Sequence, residues 1–164
     1  MRNVIFLLLI FGLFGCFGHN PSIKTGLEGK SLPSFQLLLM DSVTRYSTSN
    51  IPDGSPIVLF YFSPQCPYCK ALTDEVTNNM KSLSGIRFYM VSNFPFDMIK
   101  SYYEHYSLNQ YSNIVVGQDF DLYFSNYFQA NGVPYLAIYG RDRRLKQALM
   151  GKISANVIKD IAFK

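Results

Sequence analysis

Tryptophan is missing from this chain of 164 residues, while 14 Phe and 12 Tyr are present, so a core must be filled by rings of those two kinds. Charge is sparse: 16% of residues are Asp, Glu, Lys or Arg, and 15 basic against 11 acidic side chains leave a net charge of +4. These charges are spread along the chain, whereas a nucleic-acid footprint would need a concentrated basic stripe. No nucleic-acid partner is expected. Histidine is equally scarce, with only His19 and His105, and there are three cysteines. A structural zinc site on two of those cysteines would need both histidines as well, so neither a metal nor a cofactor is expected. No internal repeat or low-complexity segment occurs. The hydrophobic content of 48% is ample for one core, and the length fits one domain with at most an appendage. A monomer is expected.

What is present begins with a short basic start, Met1-Arg2-Asn3, and an almost unbroken apolar run from Val4 to Phe14. A run this short is too brief for a comfortable membrane span and reads as an export signal. Leu13, Gly15 and Cys16 at its end resemble the lipobox of bacterial lipoproteins, in which the cysteine becomes the lipidated first residue. Phe14 departs from that pattern, where a smaller residue is usual. A simple cleaved signal, or an uncleaved anchor reaching Phe17, are the other readings. The cysteine count favours acylation: an odd cysteine in an exported protein needs an explanation. Lipidation of Cys16 would leave Cys66 and Cys69 as a self-contained pair. Residues 1–16 are therefore expected to be a lipoprotein-type signal and 17–30, polar and aperiodic, a flexible tether. The domain is expected over 31–164, lipid-anchored in the cell envelope and facing the periplasm or extracytoplasmic space.

Within that domain, Phe35 to Met40 and Val43 to Thr48 flank a turn at Asp41-Ser42 and predict a hairpin. Pro52-Asp53-Gly54-Ser55-Pro56 is a dense turn run before Ile57 to Phe62, an apolar stretch that reads as a buried strand. Cys69, Leu72, Val76, Met80 and Leu83 then fall at helical spacing, with Ser84-Gly85 as the stop. Ile86 to Ser92 predicts a second buried strand. Met98, Ile99, Tyr102, Tyr103 and Tyr106 share a helical stripe after Pro95, and Ile114-Val115-Val116 is a short strand or extended piece. Asp119 or Asp121 caps a further helix carrying Phe120, Phe124, Tyr127 and Phe128. Val133 to Tyr139 is a strand with Pro at its start. A terminal hairpin to Met150 follows, then a last helix capped by Ser154. This order predicts an α/β fold, a mixed sheet with helices on both faces. His105 and the arginines 141, 143 and 144 read as solvated surface.

The stretch Ser63-Pro64-Gln65-Cys66-Pro67-Tyr68-Cys69-Lys70 carries the chemistry. Two cysteines two residues apart, where a strand hands over to a helix, sit beside unpaired N–H groups that suit a nucleophilic sulfur anion. A bridge between them would close too small a ring to staple a long loop. Cys66-Pro67-Tyr68-Cys69 at that junction, with Val133-Pro134 before a later strand, resembles the thioredoxin fold. More narrowly, the chain is similar to the membrane-tethered TlpA/ResA-like redoxins of bacterial envelopes. Leu32-Pro33-Ser34-Phe35 with its hairpin, and a helix–strand insert between residues 93 and 118, extend the resemblance over about Gly29 to Lys164. The resemblance implies that Cys66 is the exposed nucleophile and Cys69 the buried resolving thiol. It implies that Pro67 and Tyr68 tune the potential, that Pro134 is a cis-proline against the pair, and that Val133 offers its backbone to an extended substrate. Protein thiols or disulfides would be the substrates, with a separate redox partner. Departures from thioredoxin itself are Gln65, where a Trp is usual, and Phe60, where a buried acid is usual. Glu75 lies about 120° from the Cys69 face by helical geometry. Two other readings use the same thiols: a copper(I) metallochaperone, which soft thiolates suit, and a thiol peroxidase, prompted by Ser63 three residues before Cys66. Whether the pair reduces, oxidises or isomerises disulfides is left open.

Overall fold

The structure, a computed structural model, describes residues 22–164. The expectations for the export signal and for lipidation at Cys16 lie outside the described residues. Eight strands form one sheet: β1 (Ser22–Ile23), β2 (Gln36–Leu39), β3 (Arg45–Ser47), β4 (Ile57–Tyr61), β5 (Arg87–Ser92), β6 (Ile114–Gln118), β7 (Tyr135–Tyr139) and β8 (Leu145–Met150). The helices are α1 (Pro67–Asn78), α2 (Met80–Leu83), α3 (Phe96–His105), α4 (Tyr123–Phe128) and α5 (Ala155–Ala162). Across the sheet the order is β1-β8-β7-β4-β5-β6-β2-β3. Among the described residues the neighbouring pairs β4–β5 and β5–β6 are parallel, and every other strand pair is antiparallel. The α/β thioredoxin-like architecture, the hairpin β2–β3 and the inserted α3–β6 unit all stand as the sequence predicts.

Every residue of β4 is buried, which is why its sequence is a continuous apolar run and not an alternating one. Its side chains still alternate between faces. Val58, Phe60 and Phe62 point into a core shared with α1, α3 and α5. Ile57, Leu59 and Tyr61 join Phe124 and Phe128 of α4 on the other face. That face is almost a solid of rings, with Tyr61 stacked on Phe124 at 4.8 Å and Phe35 on Tyr123 at 4.9 Å. The chain without tryptophan fills its core in this way.

The register of β4 with its neighbours places the site. β4 pairs parallel with β5 and antiparallel with β7, Tyr61 lying opposite both Val91 and Tyr135. The loop that leaves β4 toward α1 therefore meets the loop that enters β7. Ligands of open α/β sheets gather at this end of the parallel strands, outside their carboxyl ends.

Several local features differ from the sequence reading. Residues 22–30 are not free tether: β1 pairs with β8, Gly29 N–H donates to the Leu145 carbonyl at 2.8 Å, and Leu145 N–H donates to that of Lys30 at 2.9 Å. Ile23, Leu27 and Leu32, scattered among polar residues, pack against the ring-filled face, so the segment covers an otherwise open sheet edge. The helix after Cys66 is not continuous to Leu83. It stops at Asn78, and the Asn79 amide donates to the Glu75 carbonyl at 2.8 Å. Strand β7 starts at Tyr135, one residue beyond Pro134. Arg143 is no solvated turn residue either. Held at φ 58°, it donates to the Ile51 carbonyl at 3.0 Å, to that of Thr48 at 3.3 Å and to Asp53 at 2.9 Å, clamping the loop before β4.

Candidate active site

Cys66 is the residue immediately before α1, with extended backbone (φ −75°, ψ 120°), and Pro67 occupies the first helical position. Proline is suited to that position because its fixed φ fits the helix and its missing N–H would have had no partner there. Ser63 shapes the turn. Its carbonyl accepts from the Cys66 N–H at 3.1 Å and its buried hydroxyl from the Gln65 N–H at 3.3 Å. Phe62 N–H donates to the Val91 carbonyl, anchoring the start of this loop to β5. The sequence thus converts from strand to helix within five residues and leaves Cys66 at the edge.

The two sulfurs are unlike. Cys66 is half-buried and Cys69, three residues on and facing the core, is fully buried among apolar side chains. Both are free thiols. Burial pushes the Cys69 thiol far above the ordinary cysteine range. A hydrogen bond from the Ser63 backbone opposes the shift, and the hydrogen bond and charge of Cys66 add to it. Phe60 is buried, in line with its place in the sequence, so the sheet offers no acid beneath the pair. Glu75 serves elsewhere: its carboxylate accepts from the Ala155 N–H at 2.9 Å and holds the first turn of α5. Among the described residues no group of three or more His, Cys, Asp and Glu side chains is placed to hold a metal ion.

The peptide bond between Val133 and Pro134 is cis. The Val133 carbonyl lies 3.7 Å from Cys66 Sγ and accepts from the thiol. Pro134 in turn gives its carbonyl to the Gly151 N–H at 3.0 Å, tying this loop to the end of β8. The structure brings Cys66, Cys69, Pro67, Val133 and Pro134 to one place. Tyr68, between the cysteines, is 63% exposed and forms part of the rim. Phe120, which the helical stripe assigns to α4, instead precedes that helix in the loop after β6, away from the pair, where it is 37% exposed and the Arg45 guanidinium lies over its ring at 4.7 Å.

Part of the tyrosine stripe, which from the sequence reads as core and rim or as the lining of a substrate groove, lies beside the pair. A groove of about 420 Å³ runs between the start of α1 and the length of α3. Pro64, Gln65 and Lys70 line one wall; Met98, Tyr102 and Tyr106 form much of the other. Asp97, Ser101 and His105 complete its edge, so His105 is exposed but not remote from the site. Tyr102 is buried, and its hydroxyl pairs with Thr73 Oγ1 at 2.7 Å and donates to the Cys69 carbonyl at 3.2 Å. Tyr103 and Tyr111 pack against the core instead. The signal was available in the sequence as a Tyr stripe at helical spacing, but spacing does not say which rings face a groove.

Comparison with known proteins follows the same lines. Among curated proteins none matches the chain. The thioredoxin domain of a thiol-disulfide oxidoreductase from Bacteroides vulgatus superposes with a TM-score of 0.63 at 14% identity, over 81% of this chain and 93% of its own. A secreted Mycobacterium tuberculosis disulfide oxidoreductase homologous to Escherichia coli DsbE gives 0.63 at 16% identity, over 78% and 94%. The peroxidoxin BcpB of Mycobacterium tuberculosis gives 0.64 at 16% identity, over 82% and 92%. At such identities these likenesses are of fold. The family model for the thioredoxin-like domain matches residues 49–163, from the loop before β4 to the residue after α5, and the chain belongs to that family.

Proposed function

We propose that this protein is a thiol–disulfide oxidoreductase of the bacterial cell envelope, exchanging disulfides with protein substrates through Cys66 and Cys69. The observation that carries the proposal is the pairing of a half-buried Cys66 at a helix start with a fully buried Cys69 behind it. Accessibility decides which sulfur meets a substrate. In the reducing direction the Cys66 thiolate attacks one sulfur of a substrate disulfide. A Cys66–substrate bond forms, the substrate S–S bond breaks, and the leaving thiolate takes a proton from solvent. Cys69 then gives up its proton, attacks Cys66 Sγ and expels the second substrate thiolate, leaving a Cys66–Cys69 disulfide. Two electrons pass from the pair to the substrate, and the reverse sequence oxidises a dithiol. The Val133 carbonyl, 3.7 Å from the Cys66 sulfur, is placed to meet a substrate backbone beside the reacting atoms.

The envelope location rests on the sequence of Met1 to Cys16, which supports export and a lipid anchor at Cys16. An exported location is also where protein disulfides persist as substrates. Insulin-disulfide reduction, with dithiothreitol as the electron donor that restores the dithiol, tests the activity. The wild type should turn over, Cys66→Ala should be inactive, and Cys69→Ala should stop at a mixed disulfide. Wild-type activity in Cys66→Ala would overturn the assignment. Rapid oxidation by peroxide alone, without a disulfide substrate, would move the pair to peroxidase chemistry. Metabolic labelling with a fatty acid tests the anchor, the label being lost in Cys16→Ala.

A further inference from the structure

We infer that the groove between α1 and α3 is a second recognition site for the substrate polypeptide, receiving an aromatic side chain that flanks the substrate cysteine. The inference rests on the oxidoreductase reading and adds the substrate class. Three observations carry it. The groove adjoins the reactive cysteine, because Gln65 on its wall is the residue before Cys66 and Lys70 lies one turn beyond. Its volume of about 420 Å³ admits one or two large side chains, and Met98, Tyr102 and Tyr106 give it a soft apolar wall. The rings of Tyr102 and Tyr106 lie 4.6 Å apart and His105 meets Tyr106 edge-on at 4.9 Å, so a guest ring finds faces and edges in the geometry that aromatic pairs prefer.

The occupant must be polar as well as apolar. Lys70 stands on one wall and Asp97 on the other, and among the described residues neither is in an ion pair. Opposite charges facing the same opening suit the carbonyl and N–H groups of a peptide backbone, with its side chain below. A purely apolar guest would leave both unused. The floor also touches the chemistry, since the Tyr102 hydroxyl donates to the carbonyl of Cys69 itself. A ring packed on Tyr102 therefore bears on the turn that holds the resolving cysteine.

The absence of tryptophan supplies the assay, because a tryptophan in a peptide is then the sole indole fluorophore. Two peptides are compared, each with one cysteine in mixed disulfide with a small thiol, and with Trp or Ser flanking that cysteine. With dithiothreitol as the electron donor that restores the Cys66–Cys69 dithiol after each turnover, the wild type should reduce the Trp peptide about tenfold faster in kcat/KM, equivalent to about 1.4 kcal/mol. Ser101→Phe and Ser101→Arg fill the groove from an exposed position on α3, add no indole and leave the core alone. Both should lose the preference while reducing a small-molecule disulfide at the wild-type rate. Equal rates on the two peptides in the wild type, or a preference that survives both substitutions, would overturn the inference. A dimer in sedimentation that Ser101→Arg disperses would give the groove to a second copy and overturn it too. Failure of the wild type on the small disulfide as well would overturn the oxidoreductase reading and the groove with it.

Discussion

The buried thiol of Cys69 has a consequence that stability measurements can read. In the unfolded chain a cysteine loses its proton at about pH 8.5. In the folded protein Cys69 is fully buried, and burial, the largest cause of its shift, holds the proton on well above that. Between the two values the unfolded state binds fewer protons than the native state, so stability falls as pH rises, by up to about 1.4 kcal/mol per pH unit. Below about pH 8.5 both states carry the proton and the stability is fully present. Integrated to pH 10, the loss from this one group is about 2 kcal/mol. Buried tyrosines behave in the same sense. Burial raises Tyr89, Tyr102 and Tyr139, but their window opens only above about pH 10, the ordinary tyrosine value. The interval from pH 8.5 to 10 is thus left to Cys69. Cys66→Ala and Cys66→Ala/Cys69→Ala are compared under reducing conditions, which removes the coupling between the pair. Urea unfolding at pH 7 to 10 should show the single variant losing about 2 kcal/mol more than the double variant. Parallel profiles would mean that water or an acceptor reaches Cys69 in the native state, and would refute the account of a sealed resolving thiol.

Other substitutions separate structural from chemical roles. Glu75→Ala removes the acceptor of the Ala155 N–H and should lower the urea-derived stability by about 1 kcal/mol. Disulfide exchange at fixed pH should be unchanged, since Glu75 caps α5. A large fall in exchange rate with stability intact would make it the missing base. Tyr102→Phe keeps its rings against Phe62 and Tyr106 but loses its bonds to Thr73 and the Cys69 carbonyl. It should cost about 1–2 kcal/mol in the same assay, and a neutral result would show that those hydrogen bonds are readily replaced.

Much of the fold was legible because its signals are local. The run from Ile57 to Phe62, the stop at Ser84-Gly85 and the apolar run from Tyr135 to Tyr139 each state their element in a few residues. The cysteine pair was legible for the same reason. Tertiary effects were not. Residues 22–30 look like linker because their anchors, Ile23 and Leu27, are few, and only the exposed edge of β8 gives them somewhere to bind. Arg143 looks solvated until the loop before β4 folds back over it. Asp119 was one of two candidate caps; the structure shows it fully buried, its carboxylate accepting from the N–H groups of Tyr123 at 3.0 Å and Phe124 at 2.7 Å. The groove was hidden because a Tyr stripe reads the same whether it faces core, solvent or substrate.

The central claim is that Cys66 and Cys69 form a reversible dithiol–disulfide couple. Its most direct test is equilibration of the purified protein with glutathione redox buffers, followed by thiol trapping and intact mass. The account predicts one two-electron transition within the range of CxxC oxidoreductases, about −270 to −120 mV. It would be contradicted by a pair that stays oxidised below about −300 mV, as structural disulfides do, or by two thiols that oxidise independently.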